Sequence, residues 1–430
     1  MPKKDKVLLI PRVVDKLTFT SPPSQLVGAS EEDKRTFEFF RSETAPMLSG
    51  YFDVDFWNHF LLQFSHINPT IWHSVLAVGA FHEQRLLRED GNGQQLDIAR
   101  RRYALQHYNQ AVGHLAGNLS TGKEPTEVVL VSCLLFISIE ALLGNMTGVI
   151  NHLFSGIQLL RSWKKDRARS SSSLGPKFIE NNLIPIFEHM NQYAFTHGSA
   201  VIPINEPDFS FAEPASEYFA NILAAKASLL SLTSGAQRFT IDFVSSSSDQ
   251  PDVVRKHDEV FQKHRLLYRV QRWKAALDEF LARPNQAYFS DRDRRAIALL
   301  RVQHNFVWIL ICNANNTEET SFDANITNFE EIVNLAEGTF ATAPPTSWSE
   351  RWAAVTFQLQ HFPAIFMTAI RCRNPSIRRK ALMLLKNTIV NSEERWEMQR
   401  SIKVAERIIE LEEEGLEDLT DAKGDVVPSE

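Results

Sequence analysis

One run of sixteen residues constrains this chain more than any other: VVLVSCLLFISIEALL, Val128 to Leu143, is apolar on every side except at two serines and Glu140. A helix that is apolar all round must be surrounded by other helices, since no face of it suits water. The run is too short to cross a bilayer, which needs about 20 apolar residues. It therefore predicts a buried central helix, followed at once by an amphipathic helix from Thr147 to Trp163.

The rest of the chain also repeats apolar residues at helical spacing. Clear examples are residues 69–86, 96–119, 291–311 and 393–411, and no sustained alternation of period two, bounded by turn residues, indicates a strand. The predicted fold class is therefore all-α: a large single helical domain of antiparallel helix pairs around the buried central helix. Ser30 and Asp33 predict the capped start of the first helix, which Thr44 to Pro46 should end.

Three regions are expected along the chain. Residues 1–30 are rich in Pro, Ser and Thr and should form an extended N-terminal arm, because no helical period survives the prolines. Residues 31–415 should form the helical body. Residues 416–430 should form an acidic disordered tail.

Charge and cysteine content exclude several classes of protein. A formal net charge of −6 provides no basic field for nucleic acid, so we expect no direct contact with DNA or RNA. Three cysteines that lie far apart cannot build a disulfide scaffold or a thiolate zinc site, and they fit a reducing compartment. The N-terminus has only four consecutive apolar residues, whereas a secretion signal needs roughly 7 to 15. We expect a protein of the nucleus or cytoplasm, not secreted and without a membrane span.

The common motifs of phosphate and metal chemistry are missing from the sequence. It contains no GxGxxG, P-loop, HExxH, GxSxG or DxDxDG pattern, which argues against nucleotide enzymes and the common hydrolases. We therefore expect no cofactor and no metal. An enzyme that uses neither phosphate nor metal motifs stays an alternative.

Three blocks of sequence together resemble the fungal-specific regulatory domain that lies C-terminally in fungal binuclear zinc-cluster transcription factors. The first block is EEDKRTFEFFRSETAPMLSGYFDVDFW (31–57) with NPTIWHSVLAVGAFHE (68–83), the second is HYNQAV (107–112) with residues 128–160, and the third is residues 361–385 leading to 396–415. The resemblance runs from Phe19 to Gly415, and the order of the blocks makes it specific.

The resemblance implies a transcription-factor-like regulatory protein, in fungal secondary metabolism, that binds an apolar metabolite or a partner protein; a homodimer is compatible with it. In sterol-responsive family members this domain holds an apolar metabolite between helices. Family members usually also carry, upstream, six cysteines that bind two zinc ions and place a helix in the major groove. This sequence has three cysteines and begins inside what would be the linker. We expect the regulatory half without the family's DNA-binding segment.

Aromatic residues are the candidates for contacts with such a ligand. The chain has 29 Phe and 8 Trp, whose helical stripes can pack as a core or line a cavity between helices. Packing is the simpler interpretation for each of them. The candidate ligand-binding residues are Phe56, Trp57, Phe60, Phe136 and Glu140.

Glu140 needs a partner, because an unpaired carboxylate inside an apolar helix costs several kcal/mol or must be protonated. A structural ion pair or hydrogen bond to Arg or His is the simpler interpretation. The functional interpretation makes Glu140 a general acid or an anchor for a polar group of a ligand.

His73, His82, Glu83 and His152 are, with Glu140, the candidate catalytic residues if the chain is an enzyme. His73 and His82 are nine residues apart, about 180° out of phase on a regular helix, so both cannot face one cavity. His152 lies on the helix after the central one and could meet either. A satisfied structural imidazole is the simpler interpretation of each histidine.

Two functions therefore stay open. The first is the non-catalytic regulator. The second is a cofactor-free cyclase, pericyclase of the Diels–Alderase kind, or isomerase that acts on a hydrophobic natural-product intermediate in a repurposed cavity. Such chemistry needs only a dry, shaped pocket and one or two hydrogen-bond donors, so no motif would reveal it. The basic segment RCRNPSIRRK, residues 371–380, should be a helix edge that pairs with acidic residues near Glu412 to Glu414. A groove for acidic segments of a partner is the alternative interpretation.

Overall fold

The computed structural model describes residues 28–50, 52–89, 94–122, 124–167, 175–196, 204, 218–245, 252–283, 289–314, 316, 318–340, 361–388 and 396–414. Every regular element in these residues is helical, which confirms the all-α prediction. The expected N-terminal arm, apart from residues 28–30, and the expected acidic tail lie outside the described residues. The extent of the helical body as one domain stays a prediction.

The first group of helices packs around one hydrophobic core. In chain order they are α1 (Glu31–Phe39), α2 (Ala45–Ser49), α3 (Leu61–Ile67), α4 (Pro69–Glu89), α5 (Gln94–Ser120), α6 (Thr126–Leu142), α7 (Met146–Arg167), α8 (Gly175–Phe178) and α9 (Ile184–Thr196). Single π-helical turns join α1 to α2 (Phe40–Thr44), precede α3 (Phe56–Phe60) and join α8 to α9 (Ile179–Leu183).

Helix α6 is the predicted buried helix, and nearly all its side chains from Val128 to Glu140 are buried. Helix α4 packs against both α5 and α6, and α7 returns along α6. The hydroxyls of Ser132 and Ser138 donate to backbone carbonyls one turn earlier, so neither polar group is left without a partner. Pro125 occupies the N-cap position and no side chain caps the helix.

The start of α1 is as predicted, but its end is not. Ser30 and Asp33 form a reciprocal capping box, which satisfies two backbone N–H groups of the first turn. The helical path does not stop at Thr44 to Pro46. It passes through the π-helical turn into α2, where Pro46 occupies the first turn, a position that needs no hydrogen bond from its nitrogen.

The second group of helices has a hydrophobic core of its own. Its members are α10 (Ile222–Ser245), α11 (Asp252–Leu281), α12 (Asp291–Asn313), α13 (Ile326–Phe340), α14 (residues 361–371), α15 (Pro375–Thr388) and α16 (Trp396–Glu413), with a 3-10 helix, Glu319–Asn325, before α13. Helix α12 packs against α10, α11 and α13. It is long and apolar enough to cross a membrane, but most of its apolar window is buried, as in the core helix of a folded domain.

The two cores divide the described residues at about residue 210: the first includes Phe37 to Ile204 and the second Phe219 to Ala405. The segment after α2 connects them. Phe52 packs against the second core, and the Arg292 guanidinium donates to the carbonyl of Gly50 at 2.8 Å. Helix α9 also packs against α10.

The basic segment before and within α15 pairs as predicted. Arg378 is buried and contacts the carboxylates of Glu412 and Glu413, and Arg379 contacts Glu413. These ion pairs hold the end of α16 on α15. Two further arginines reach back to the 3-10 helix: Arg371 pairs with Glu319 and Arg373 with Asp323.

Candidate functional site

Three of the predicted site residues meet where α5, α6 and α7 come together. The Tyr108 hydroxyl donates to Oε1 of Glu140 at 2.7 Å, and Asn145 Nδ2 donates to Oε2 at 2.7 Å. The ring of Phe136 lies 5.3 Å from those of both Tyr108 and His152. We call these five residues the Glu140 cluster. The carboxylate has partners, as its burial demands, but they are a phenol and an amide rather than Arg or His.

The protonation states of the Glu140 cluster follow from burial. Burial lowers the pKa of His152 more than the nearby Glu140 charge raises it, so the imidazole is neutral at neutral pH. Burial, and then the hydrogen bond to Glu140, raise the pKa of Tyr108, so the phenol keeps its proton. The backbone of the first turn of α7 lies close to the Glu140 carboxylate. A Cβ on Gly148 would lie 2.8 Å from the Glu140 carboxyl carbon. A neutral imidazole beside a carboxylate can accept hydrogen bonds from a hydroxyl or amine and can exchange a proton.

His73 belongs to a second polar group, which fastens α1 to α4 and α5. His73 Nδ1 lies 2.9 Å from His107 Nδ1, His107 Nε2 lies 3.4 Å from Asp33 Oδ1, and the Tyr103 hydroxyl donates to the same Asp33 oxygen at 2.6 Å. Burial lowers the pKa of His73 to about 4. Burial opposes the ionisation of Asp33, but hydrogen bonds from Tyr103 and Ser30 outweigh it and lower its pKa.

His82 and Glu83 are adjacent in α4, and each has structural partners of its own. Glu83 receives two hydrogen bonds from Arg35, at 2.7 and 3.0 Å, and contacts the buried guanidinium of Arg100. His82 Nδ1 lies 2.9 Å from the Thr44 hydroxyl, and burial lowers its pKa to about 4. His73 and His82 thus have different neighbours, in agreement with their opposite phase on the helix.

The remaining aromatic candidates form one cluster, in which Phe56 and Phe60 contact Phe178 and Trp57 contacts Phe56. Ring centroids lie 6.4 Å apart for Phe56 and Phe178 and 5.5 Å apart for Phe60 and Phe178, and Trp57 meets Phe56 edge to face at 5.1 Å. Phe56 and Trp57 are buried. These contacts are those of a core, and a role of the three residues in holding a ligand stays a prediction.

Sequence reasoning missed a small cleft at the junction of the two cores. Its lining residues come from both sides of the junction: Phe52, His189, Lys226, Leu230 and Gln303. Lys226 Nζ lies 3.0 Å from Asp53 Oδ1 and 4.6 Å from the centroid of the Phe52 ring. No local pattern could have indicated this pair, because its two members lie 173 residues apart.

Metal ligation is not a property of the clusters above. In the part of the chain that the structure describes, no group of three or more His, Cys, Asp or Glu side chains is arranged to hold a metal ion.

The comparisons with known proteins point to fungal transcription regulators. The model of the fungal specific transcription factor domain matches residues 35–212. The chain is 30% identical over 159 residues to the transcription regulator lscL of Purpureocillium lilacinum, a match that covers 36% of this chain and 35% of that protein. It is 21% identical over 355 residues to the aspercryptin biosynthesis cluster-specific transcription regulator atnN of Emericella nidulans, covering 77% of this chain and 53% of that protein. No solved structure matches.

The family match coincides with a structural unit. It begins within α1 and ends beyond α9, so it includes nearly the whole first core and the Glu140 cluster. The matched segments span about a third of one curated relative and about half of the other. The resemblance to a fungal transcription factor regulatory domain is confirmed, and residues 35–212 are the part of the chain that matches the family model.

Proposed function

We propose that this protein regulates transcription in fungal secondary metabolism, and that its domain responds to an apolar metabolite or a partner protein rather than reading DNA bases itself. The observation that carries the proposal is the similarity to atnN, which extends over 77% of the chain and therefore includes helices of both cores. That relative is named a regulator specific to a biosynthetic cluster. The net charge of −6 supports a role without direct DNA contacts.

Within this function, the Glu140 cluster is the proposed point of contact with a metabolite. Glu140 and Asn145 offer hydrogen-bonding groups beside the rings of Phe136 and Tyr108, so a mainly apolar molecule with one hydroxyl or amine would find both kinds of contact there. His152 is half-buried and neutral, which lets it bond such a group without the cost of removing a charge from water.

Gene deletion and complementation test the proposal. We expect deletion to change the transcript levels of neighbouring biosynthetic genes, and the unchanged gene to restore them. The variant His152→Leu should fail to restore them if the Glu140 cluster transmits the signal. The matched control is His264→Leu, because His264 is exposed on α11 and its hydrogen bond among the described residues is to Val260 of the same helix.

Two results would contradict the proposal. Unchanged transcripts together with an accumulated biosynthetic intermediate would instead favour the enzymatic alternative, a cyclase or isomerase acting on that intermediate. Full restoration by His152→Leu would leave the regulatory role standing but would remove the Glu140 cluster from it.

A further inference from the structure

Helix α5 exposes a row of large apolar side chains at intervals of seven residues. The row consists of Ile98, Leu105, Val112 and Leu119, whose exposed fractions are 61%, 37%, 42% and 50%. Seven residues of an α-helix fall about 20° short of two full turns, so the four side chains lie within about 60° of one another. We call this row the α5 seam. A repeat of seven residues keeps the apolar side chains on one narrow face of the helix, along which a second helix can pack.

The first core does not use the α5 seam. The inner face of α5 contributes Tyr103, Ala104, Ala111 and Leu115 to that core, and these residues are buried. The surface beside the seam is open, since a Cβ added at Gly113 would meet nothing within 4 Å. Aligned apolar residues on an open surface mark an interaction site more often than a single exposed residue does.

We infer that a second copy of this chain covers the α5 seam, with the two α5 helices antiparallel. The charges at the two ends of the helix support this choice. Arg101 and Arg102 are exposed near one end and form no ion pair with a described residue. Glu124 lies at the other end, where amides of Asn118 and Asn68 donate to its carboxylate at 2.6 and 3.0 Å, but no described cation pairs with it.

A two-fold axis between Tyr108 and Asn109 accounts for both the apolar residues and the charges. It places Ile98 opposite Leu119 and Leu105 opposite Val112, so all four seam residues are covered on each copy. Residue 99 of one copy then lies opposite Asn118 of the other, whose amide donates to Glu124. Arg101 and Arg102 follow residue 99 by two and three positions, so along the helix axis they lie within about one helical turn of the second copy's Glu124. A parallel pair would place the arginines of the two copies against each other. The antiparallel pair is a self-complementary contact of the kind that closed dimers use.

The length of the seam predicts how strong the dimer is. A helix of 27 residues is about 40 Å long, and a contact along one such helix is at the small end of stable protein interfaces. The dimer is therefore reversible and forms with rising protein concentration.

Sedimentation equilibrium of the full chain over a wide concentration range tests the dimer. We expect the unchanged chain to show a monomer–dimer equilibrium, and the variant Leu105→Glu with Val112→Glu to weaken it by more than about tenfold, because the pair would bury four carboxylates. Far-UV circular dichroism should be the same for both. The matched control is Val260→Glu on α11, where the side chain is 51% exposed. A monomer at every concentration, or equal dimerisation of the seam variant, would overturn the inference.

Cross-linking tests the orientation. Chains with Ile98→Cys and chains with Leu119→Cys should form cross-linked pairs when mixed, and neither should do so alone. The unchanged chain gives the background from Cys133, Cys312 and Cys372, two of which are buried. Cross-linking of the Ile98→Cys chain with itself would show a parallel pair and would rule out the antiparallel arrangement.

Discussion

At the scale of single residues, histidines inside the fold contribute to how the stability of this protein depends on pH. Burial lowers the pKa of His73, His82 and His304 from 6.5 to about 4. The folded state keeps these rings neutral, whereas the unfolded chain binds protons below pH 6.5. Their effect on stability is therefore absent above pH 6.5, and the free energy of unfolding falls as the pH drops from 6.5 towards 4.

The variant His304→Gln measures how much one of these histidines contributes to the pH dependence of stability. His304 stacks on Trp273 and lies, through Nε2, 3.2 Å from the Val270 carbonyl; a glutamine amide can donate to that carbonyl but does not titrate. We expect the slope of unfolding free energy against pH to decrease by up to about 1.4 kcal/mol per pH unit below pH 6.5. Urea unfolding from neutral pH to about pH 5 measures it. Exposed His264→Gln is the control, and an unchanged slope for His304→Gln would contradict the prediction.

At the scale of helices, one close contact, between α7 and α9, depends on a glycine. Gly156 lets α7 lie directly against the ring of Phe187 in α9. The Phe187 side chain is fully buried. A Cβ at this position would overlap the ring, and neither helix can move away without disturbing the first core. Gly113, on the outer face of α5, has no such neighbour. The two glycines therefore separate the effect of packing from that of helix propensity.

We expect Gly156→Ala to lower the free energy of unfolding by about 1 to 3 kcal/mol, since overpacking forces side chains out of their preferred rotamers. Gly113→Ala should be neutral or stabilise the fold by up to about 1 kcal/mol, since alanine favours helix. Urea denaturation of both variants at low protein concentration measures the difference. Equal stability of the two variants would show that α7 and α9 are not held as closely as the structure indicates.

At the scale of the whole molecule, the two cores are joined in part by the ion pair between Lys226 and Asp53. Lys226 and Asp53 are both largely inaccessible to solvent, and they link the segment after α2 to α10. An ion pair in such a place adds little net energy while it is intact, but removal of one partner leaves the other charge without compensation. Together with Phe52 and the packing of α9 on α10, this ion pair therefore couples the unfolding of the two cores.

Asp53→Asn should lower the free energy of unfolding by about 1 to 3 kcal/mol, because the Lys226 charge loses its partner. The double variant with Lys226→Met should recover part of that loss. Hydrogen exchange followed separately in α6 and α12 should show the two cores opening independently in Asp53→Asn. The control Asp291→Asn breaks the exposed pair with Arg294, and it should change stability by less than about 0.5 kcal/mol. Joint opening of the cores in Asp53→Asn would contradict the prediction.

The sequence alone determined the features that depend on neighbours along the chain. The helical class, the buried position of α6 and the capping box at Ser30 and Asp33 follow from residues a few positions apart, and the family resemblance follows from the order of three blocks along the chain. The predicted end of α1 was wrong. Pro46 was expected to stop the helix, but it lies in the first turn of α2, where proline is compatible with a continuing helical path.

Only the tertiary structure decided which distant residues meet. Sequence singled out Glu140, His152 and Phe136 but not Tyr108, which donates to Glu140 from 32 residues away. It also could not divide the helices between two cores or place Lys226 beside Asp53. The reason is physical: the period of apolar residues shows that a face will be buried, whereas the partner of that face is chosen by packing among all the helices.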